Sequence, residues 1–299
     1  WWSWFLAAPY CTVMSIARLR GKRVVLTAHN TAPHERSLWK RALNDLVIRR
    51  ADQVIVHGER NRVALTARGY ERERISVVPH GILGITHEER APSREEARTM
   101  LGIEPRARVV LLFGNLRPYK GVRVLVEAAA RMREQVPNLR VVIAGERWND
   151  CSDPASDAAA AGVADISDLR IGYVPGHDVP ALFAAADVVV LPYTHFDGQS
   201  GAGTLALSAG RALVVSDAGG LRELTRDARA VVPPGDTDAL ASALTAVLAD
   251  HGLREKLERD ARIVAEELSW TSIAQRTVGV YERVLGRSAG GTMERRNAA

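Results

Sequence analysis

The chain has 299 residues, 46% of them hydrophobic and 25% charged, with a formal net charge of +5. That supplies apolar material for about two globular domains. The modest charge, with no basic stripe interleaved with aromatics, speaks against a nucleic-acid binder. Cys11 and Cys151 have no metal or redox spacing, so a disulfide framework is not expected and a reducing compartment is.

The chain begins at Trp1 without an initiator Met, which reads as a fragment or a processed product. Trp1 to Ala17 carries no charge, but it is short for a membrane span, Pro9 interrupts it, and it lacks the basic start of a signal peptide. It reads as a buried or interfacial helix. Three β-rich runs follow, Arg23–Ala28, Gln53–His57 and Ile75–Pro79. Between the first two lies a basic helical pattern, Glu35–Arg50, with Leu38, Trp39, Ala42, Leu43, Leu46 and Val47 near one face. That helix either packs on its sheet or lies on an anionic membrane surface.

Gly81–Pro92 breaks the pattern, and Ser93-Arg94-Glu95-Glu96 then predicts a capping box. Six further strands are expected at Arg108–Phe113, Arg140–Ala144, Leu169–Tyr173, Val188–Pro192, Ala212–Ser216 and Ala230–Val232. Helical patterns fill the intervals and follow the last strand: Val122–Gln135, Val179–Ala186, Thr204–Ala209, Thr237–His251 and Leu253–Leu268. Runs such as Val188-Val189-Val190-Leu191 are continuous rather than alternating, as in parallel strands buried on both faces. The reading is α/β, with a partial lobe over 1–92, a complete lobe over 93–285 and a disordered tail over 286–299.

In open parallel sheets, ligands bind outside the carboxyl ends of the strands. After the first strand of the second set comes Asn115-Leu116-Arg117-Pro118-Tyr119-Lys120-Gly121, where Arg117 and Lys120 on a stiff turn are phosphate-type ligands. After Leu191-Pro192 comes Asp197-Gly198-Gln199-Ser200-Gly201-Ala202-Gly203, whose small residues at a helix start expose backbone N–H groups to an anion. Together these two turns predict a grip on a diphosphate. Glu223, after another strand, either meets ribose or sugar hydroxyls or caps a helix. In the first lobe, His29 and His80 follow strands, with His34 and His57 as weaker candidates. No histidine pair has metal-ligand spacing, so no metal site is expected.

These segments resemble glycosyltransferase family 4. The resemblance rests on Arg117-Pro118-Tyr119-Lys120-Gly121, Val142-Ile143-Ala144-Gly145-Glu146, Ala184–Tyr193 and Ser216–Glu223, with His29-Asn30, His34-Glu35, Ala51-Asp52 and Val78–Gly81 in the first lobe. It implies a GT-B fold of two Rossmann-like lobes, the first incomplete, and retaining transfer from a nucleotide-diphosphate sugar to a glycan, lipid-linked or small-molecule acceptor. It further implies no metal or other cofactor. The cysteine usage adds the expectation of a cytoplasmic enzyme, and the basic helix pattern over Glu35–Arg50 that of peripheral contact with the inner membrane face as the alternative to packing on its sheet. On this resemblance Asn115, Arg117, Lys120, Ser200, Gly201, Ala202, Gly203 and Glu223 would bind the donor, and His29 and Asp197 would be catalytic. His29 would hydrogen-bond the donor sugar or position the acceptor hydroxyl, and Asp197 would orient the sugar ring. Two family glutamates fall here on Asp197 and Leu205, and Leu205 cannot grip ribose as a carboxylate does. A non-catalytic nucleotide-binding or scaffolding protein and a nucleotide-sugar epimerase are the alternative expectations.

Overall fold

A computed structural model describes residues 6–29, 38–82, 84, 92–196 and 198–286. The first unit begins with helix α1 (Ala7–Leu19), strand β1 (Val25–Ala28), helix α2 (Leu38–Arg49), strand β2 (Gln53–Val56), helix α3 (Glu59–Ala67) and strand β3 (Ile75–Val77). The strands pair in parallel in the order β1-β2-β3. Val54 and Val56 point to one face, where Val47, Ile48, Leu65 and Met14 of the flanking helices bury them. Ile55 points to the other, as the two-residue period of a strand requires.

The second unit carries α4 (Arg94–Leu101), β4 (Arg108–Phe113), α5 (Val122–Met132), β5 (Leu139–Gly145), α6 (Pro154–Ala160), β6 (Ser167–Ile171), α7 (Val179–Ala185) and β7 (Val188–Leu191). It continues with α8 (Gly201–Ser208), β8 (Ala212–Ser216), β9 (Val231–Val232), α9 (Thr237–Ala249) and α10 (His251–Glu267). The capping box at Ser93 forms: its hydroxyl accepts from the Glu96 N–H, and the Glu96 carboxylate accepts from the Ser93 N–H. All six strands are parallel, in the order β6-β5-β4-β7-β8-β9. This is the Rossmann order, and it reverses between β4 and β7. Fully buried Val110, Leu112, Val188, Val190 and Val214 carry one face of that sheet into a core shared with α5 and α9.

The last helix, α11 (Trp270–Val284), belongs to the first unit, which comprises residues 1–81 and 268–299; the second comprises 82–267. The sequence reading assigns 93–285 to one lobe, and the structure corrects this for the stretch from Leu268 onward. Ile273 and Val280 of α11 bury the Ile55 and Val78 face of the first sheet, and Gly81 is in close contact with the Trp270 ring. A sheet with a continuous apolar run in its middle strand needs cover on both faces, and α11 supplies the second. Helices α3, α6 and α11 are absent from the sequence reading. Helix α8 starts three residues earlier than expected, because Ser200 caps it at Gly201. The expected tail lies outside the described residues apart from Gly286. Among the described residues no helix is long and apolar enough to cross a membrane.

Candidate functional site

The reversal between β4 and β7 leaves a crevice at the carboxyl edge, because the connections leaving these two strands diverge to opposite faces. Both candidate turns emerge there. Gly114 follows β4 at φ +113°, and Leu116 extends the parallel ladder beyond the strands: its N–H donates to Glu146 O (2.7 Å) and its carbonyl accepts from Trp148 N (3.0 Å). This brings Arg117 against Trp148, with the guanidinium carbon 3.6 Å from the ring centroid. A short 3₁₀ turn, Pro118–Lys120, then delivers Lys120 inward. Gly121 closes the turn at φ +72°, and a Cβ there would lie 1.9 Å from the Pro192 carbonyl oxygen. Only glycine lets the β4 turn sit this close to the end of β7.

Lys120 is buried, and its ammonium donates to the Tyr193 hydroxyl. The Tyr193 hydroxyl in turn shares a hydrogen bond with Ser200 Oγ at 2.9 Å. Ser200 Oγ also accepts from Gly203 N at 3.2 Å, capping α8. Lys120, Tyr193, Ser200 and the first turn of α8 therefore form one hydrogen-bonded chain. Gly114 lies beside it: a Cβ there would be 3.8 Å from Lys120 Nζ and 3.9 Å from Ala202 Cβ. Gly203 lets α8 press onto the sheet, since a Cβ would meet Leu224 at 2.5 Å and Leu191 at 3.1 Å. Burial, with the Arg117 charge adding to it, pushes the Lys120 pKa down to about 8, and burial raises that of Tyr193.

Such a site can hold a dianion. It offers an ammonium with no carboxylate among its described partners and the N-terminal N–H groups of α8, with Arg117 on the same turn. Of the residues named from sequence, Lys120, Ser200, Ala202 and Gly203 come together here, with Gly201 opening the helix. Arg117 is close enough to press on the Lys120 charge but is stacked on Trp148. Asn115 is exposed on the same turn, and Glu223 is exposed on the 3₁₀ turn Leu221–Leu224 after β8. Asp197 lies outside the described residues. Tyr193 stands at the strand end that the sequence reading selects, but that reading gave it no role of its own. The signal for it was an aromatic hydroxyl directly after a fully buried strand, where it must find a partner.

In the first unit, β1, β2 and β3 each deliver a histidine at the carboxyl edge: His29, His57 and His80. His29 Nδ1 is 2.9 Å from His57 Nε2, and His57 Nδ1 is 2.9 Å from the Val78 carbonyl oxygen. The His80 ring meets His57 edge-on at 5.6 Å and Trp270 at 5.4 Å. Burial lowers the pKa of both His29 and His57, and neighbouring histidines add to it. Asn30 and His34 lie outside the described residues.

Comparison with known proteins takes in both units. Residues 2–82 match the family described as Glycosyltransferase Family 4, and residues 107–250 match that described as Glycosyl transferases group 1. An alpha-maltose-1-phosphate synthase from Mycolicibacterium smegmatis is 27% identical over 89% of this chain and 74% of its own length. A D-inositol 3-phosphate glycosyltransferase from Mycolicibacterium gilvum is 30% identical over 66% of this chain and 45% of its own length. The chain thus spans about half the length of several curated relatives that it matches. HepE from Anabaena, solved in complex with UDP and glucose, superposes with a TM-score of 0.74 at 21% identity, covering 93% of this chain and 76% of that one.

Proposed function

The chain is of glycosyltransferase type on the GT-B fold, and from that premise we propose that it transfers a sugar from a nucleotide-diphosphate sugar to a hydroxyl acceptor with retention of anomeric configuration. The observation that carries this reading is the buried Lys120 ammonium, held by the neutral oxygen of Tyr193 beside the first turn of α8. A buried cation without a counter-charge is costly, and a diphosphate would supply one. As the glycosidic C–O bond breaks, negative charge grows on the leaving diphosphate. Lys120, Arg117 and the α8 N–H groups, fixed in advance, would stabilise it there. The relative crystallised with UDP and glucose supports a nucleotide sugar as the donor class. His29 would meet a hydroxyl of the acceptor or of the donor sugar, and the acceptor class is a glycan, a lipid-linked glycan or a small molecule.

Calorimetric titration of the chain with UDP, GDP and their sugars tests the donor site. Binding with the diphosphate favoured over the nucleoside monophosphate supports it, and equal affinity for both overturns it. The anomeric configuration of the product, read by NMR, tests retention. We also propose peripheral membrane contact. Val13 and Ile16, with Tyr10 and Leu19 to either side, are exposed apolar residues on successive turns of α1, and Arg20 and Lys22 are exposed just beyond them. Cosedimentation with anionic but not neutral vesicles at low salt is expected, and equal recovery with both removes this part of the proposal.

A further inference from the structure

Three consecutive parallel strands place three imidazoles in a row, and the hydrogen-bond partners of the middle one fix more than its own position. The Val78 carbonyl oxygen can only accept, so the His57 Nδ1 beside it carries a proton. Burial disfavours the charged form of His57, so its other nitrogen, Nε2, is left as an acceptor. The atom facing that nitrogen at 2.9 Å is His29 Nδ1, which must therefore be the donor. One carbonyl thus sets two tautomers in sequence. When His29 is neutral, its Nε2 presents a lone pair at the carboxyl end of β1.

We propose that His57 is a positioning residue: it locks His29 in the Nδ1–H tautomer, so that His29 recognises a sugar hydroxyl by accepting a hydrogen bond from it and does not donate one. This deepens the proposed transferase function and rests on that reading for the identity of the hydroxyl. The tautomer assignment itself does not depend on it. Only the Val78–His57–His29 chain is needed. His80 meets His57 edge-on, and its Nδ1 is directed at the Gly81 carbonyl at 2.8 Å. It supports the row without standing between His29 and His57.

The test is a long-range proton–nitrogen NMR spectrum of the whole chain at pH 8, with the imidazoles assigned through His29→Asn and His57→Gln. His29 and His57 are both expected as Nδ1–H tautomers. An Nε2–H pattern at either residue overturns the proposal. His57→Leu removes the acceptor and is expected to lower the Nδ1–H to Nε2–H ratio of His29 by about fivefold, the worth of one net hydrogen bond. His57→Gln, whose carboxamide oxygen can accept from His29, is expected to restore it. An unchanged His29 pattern in the leucine variant overturns the proposal, as does equal loss in both variants. Turnover should follow the same order while nucleotide affinity holds across the set. If nucleotide fails to bind at all, the transferase reading falls, and the spectrum still decides the tautomers.

Discussion

Replacing Lys120 by methionine is expected to stabilise the fold while removing diphosphate binding. Lys120 is only 8% exposed, and burial with the Arg117 charge holds its pKa at about 8 against the usual 10.5. One pKa unit is about 1.36 kcal/mol, so keeping this ammonium charged inside the protein costs roughly 3 kcal/mol. Methionine keeps most of the stem and drops the charge. It also leaves the Tyr193 oxygen without its donor, a loss of about 1 kcal/mol. The expected net gain is therefore about 2 kcal/mol at pH 7. The pH dependence follows from the protons bound. Between about pH 8 and 10.5 the folded wild type has released a proton that the unfolded chain retains, so raising the pH stabilises it there. The advantage of Lys120→Met is thus full below pH 8 and fades towards pH 10.5. Denaturant unfolding at both ends of that range measures it. Calorimetry with UDP and GDP in buffers of different ionisation heat measures the other half. A diphosphate raises the Lys120 pKa, so the wild type takes up protons on binding near pH 8 and the variant takes up none. A methionine variant that is less stable by about 1 kcal/mol at pH 7, the opposite sign to that worked here, and that binds nucleotide like the wild type would refute the reasoning.

Tyr193→Phe removes the hydroxyl between Lys120 and Ser200. A hydrogen bond to a charged group is worth about 1.5–3 kcal/mol, so the pH above which nucleotide affinity declines should fall by about one unit or more, as read by calorimetry across pH. No movement of that midpoint would show the hydroxyl to be a bystander. Asp187→Ala addresses the opposite side of the same unit. Asp187 accepts from buried Arg98 at 2.8 Å and from Val109 N at 2.8 Å, and its loss strands that guanidinium at a cost of about 3–5 kcal/mol, measured by urea unfolding. A cost below about 1 kcal/mol would mean that Arg98 finds other partners.

The strands of both sheets were legible because a parallel strand buried on both faces reads as an unbroken apolar run with a turn after it. Val109–Leu112 and Val188–Leu191 show this plainly. The strand order was not legible, and with it the fact that the Lys120 turn and the Ser200 turn leave neighbouring strands at the reversal point. Both turns were picked out by their charge and their small residues, and were expected to act together on a diphosphate. Their meeting through Tyr193 depends on Gly121 and Gly203 allowing two close backbone approaches, which spacing along the chain does not reveal. Helix α11 was missed for a related reason. An amphipathic pattern tells that a helix buries one face, and nothing in it tells which sheet receives that face. His57 was ranked low as a lone histidine. The stronger signal was relational: each of three strands in one sheet is succeeded by a histidine, and parallel in-register pairing aligns the residues at the strands' carboxyl ends.

The contrast between Arg98 and Lys120, two of the three buried cations described in the second unit, gives the functional reading its weight; the third, Arg254, also has Asp187 within 4.0 Å. Arg98 is 6% exposed and Lys120 is 8% exposed, so both are removed from water to the same degree. Arg98 is neutralised in the ordinary way, by the Asp187 carboxylate and by the carbonyls of Ala185 and Pro105. Folding stability alone would favour the same solution for Lys120, since a charge paired and hydrogen-bonded inside a protein costs far less than one that is not. Its described partners are instead a phenol oxygen and aromatic rings, and burial, with the Arg117 charge adding to it, holds its pKa low. A lysine kept for packing would be better replaced by methionine, and one kept for solubility would be exposed. The proposed reading gives that charge a partner that arrives with the ligand, at the reversal point of the sheet, where the α8 N–H groups favour the same sign of charge. The stability cost of Lys120 and its proposed affinity for a diphosphate are then two readings of one displaced proton equilibrium, and the methionine substitution moves them in opposite directions.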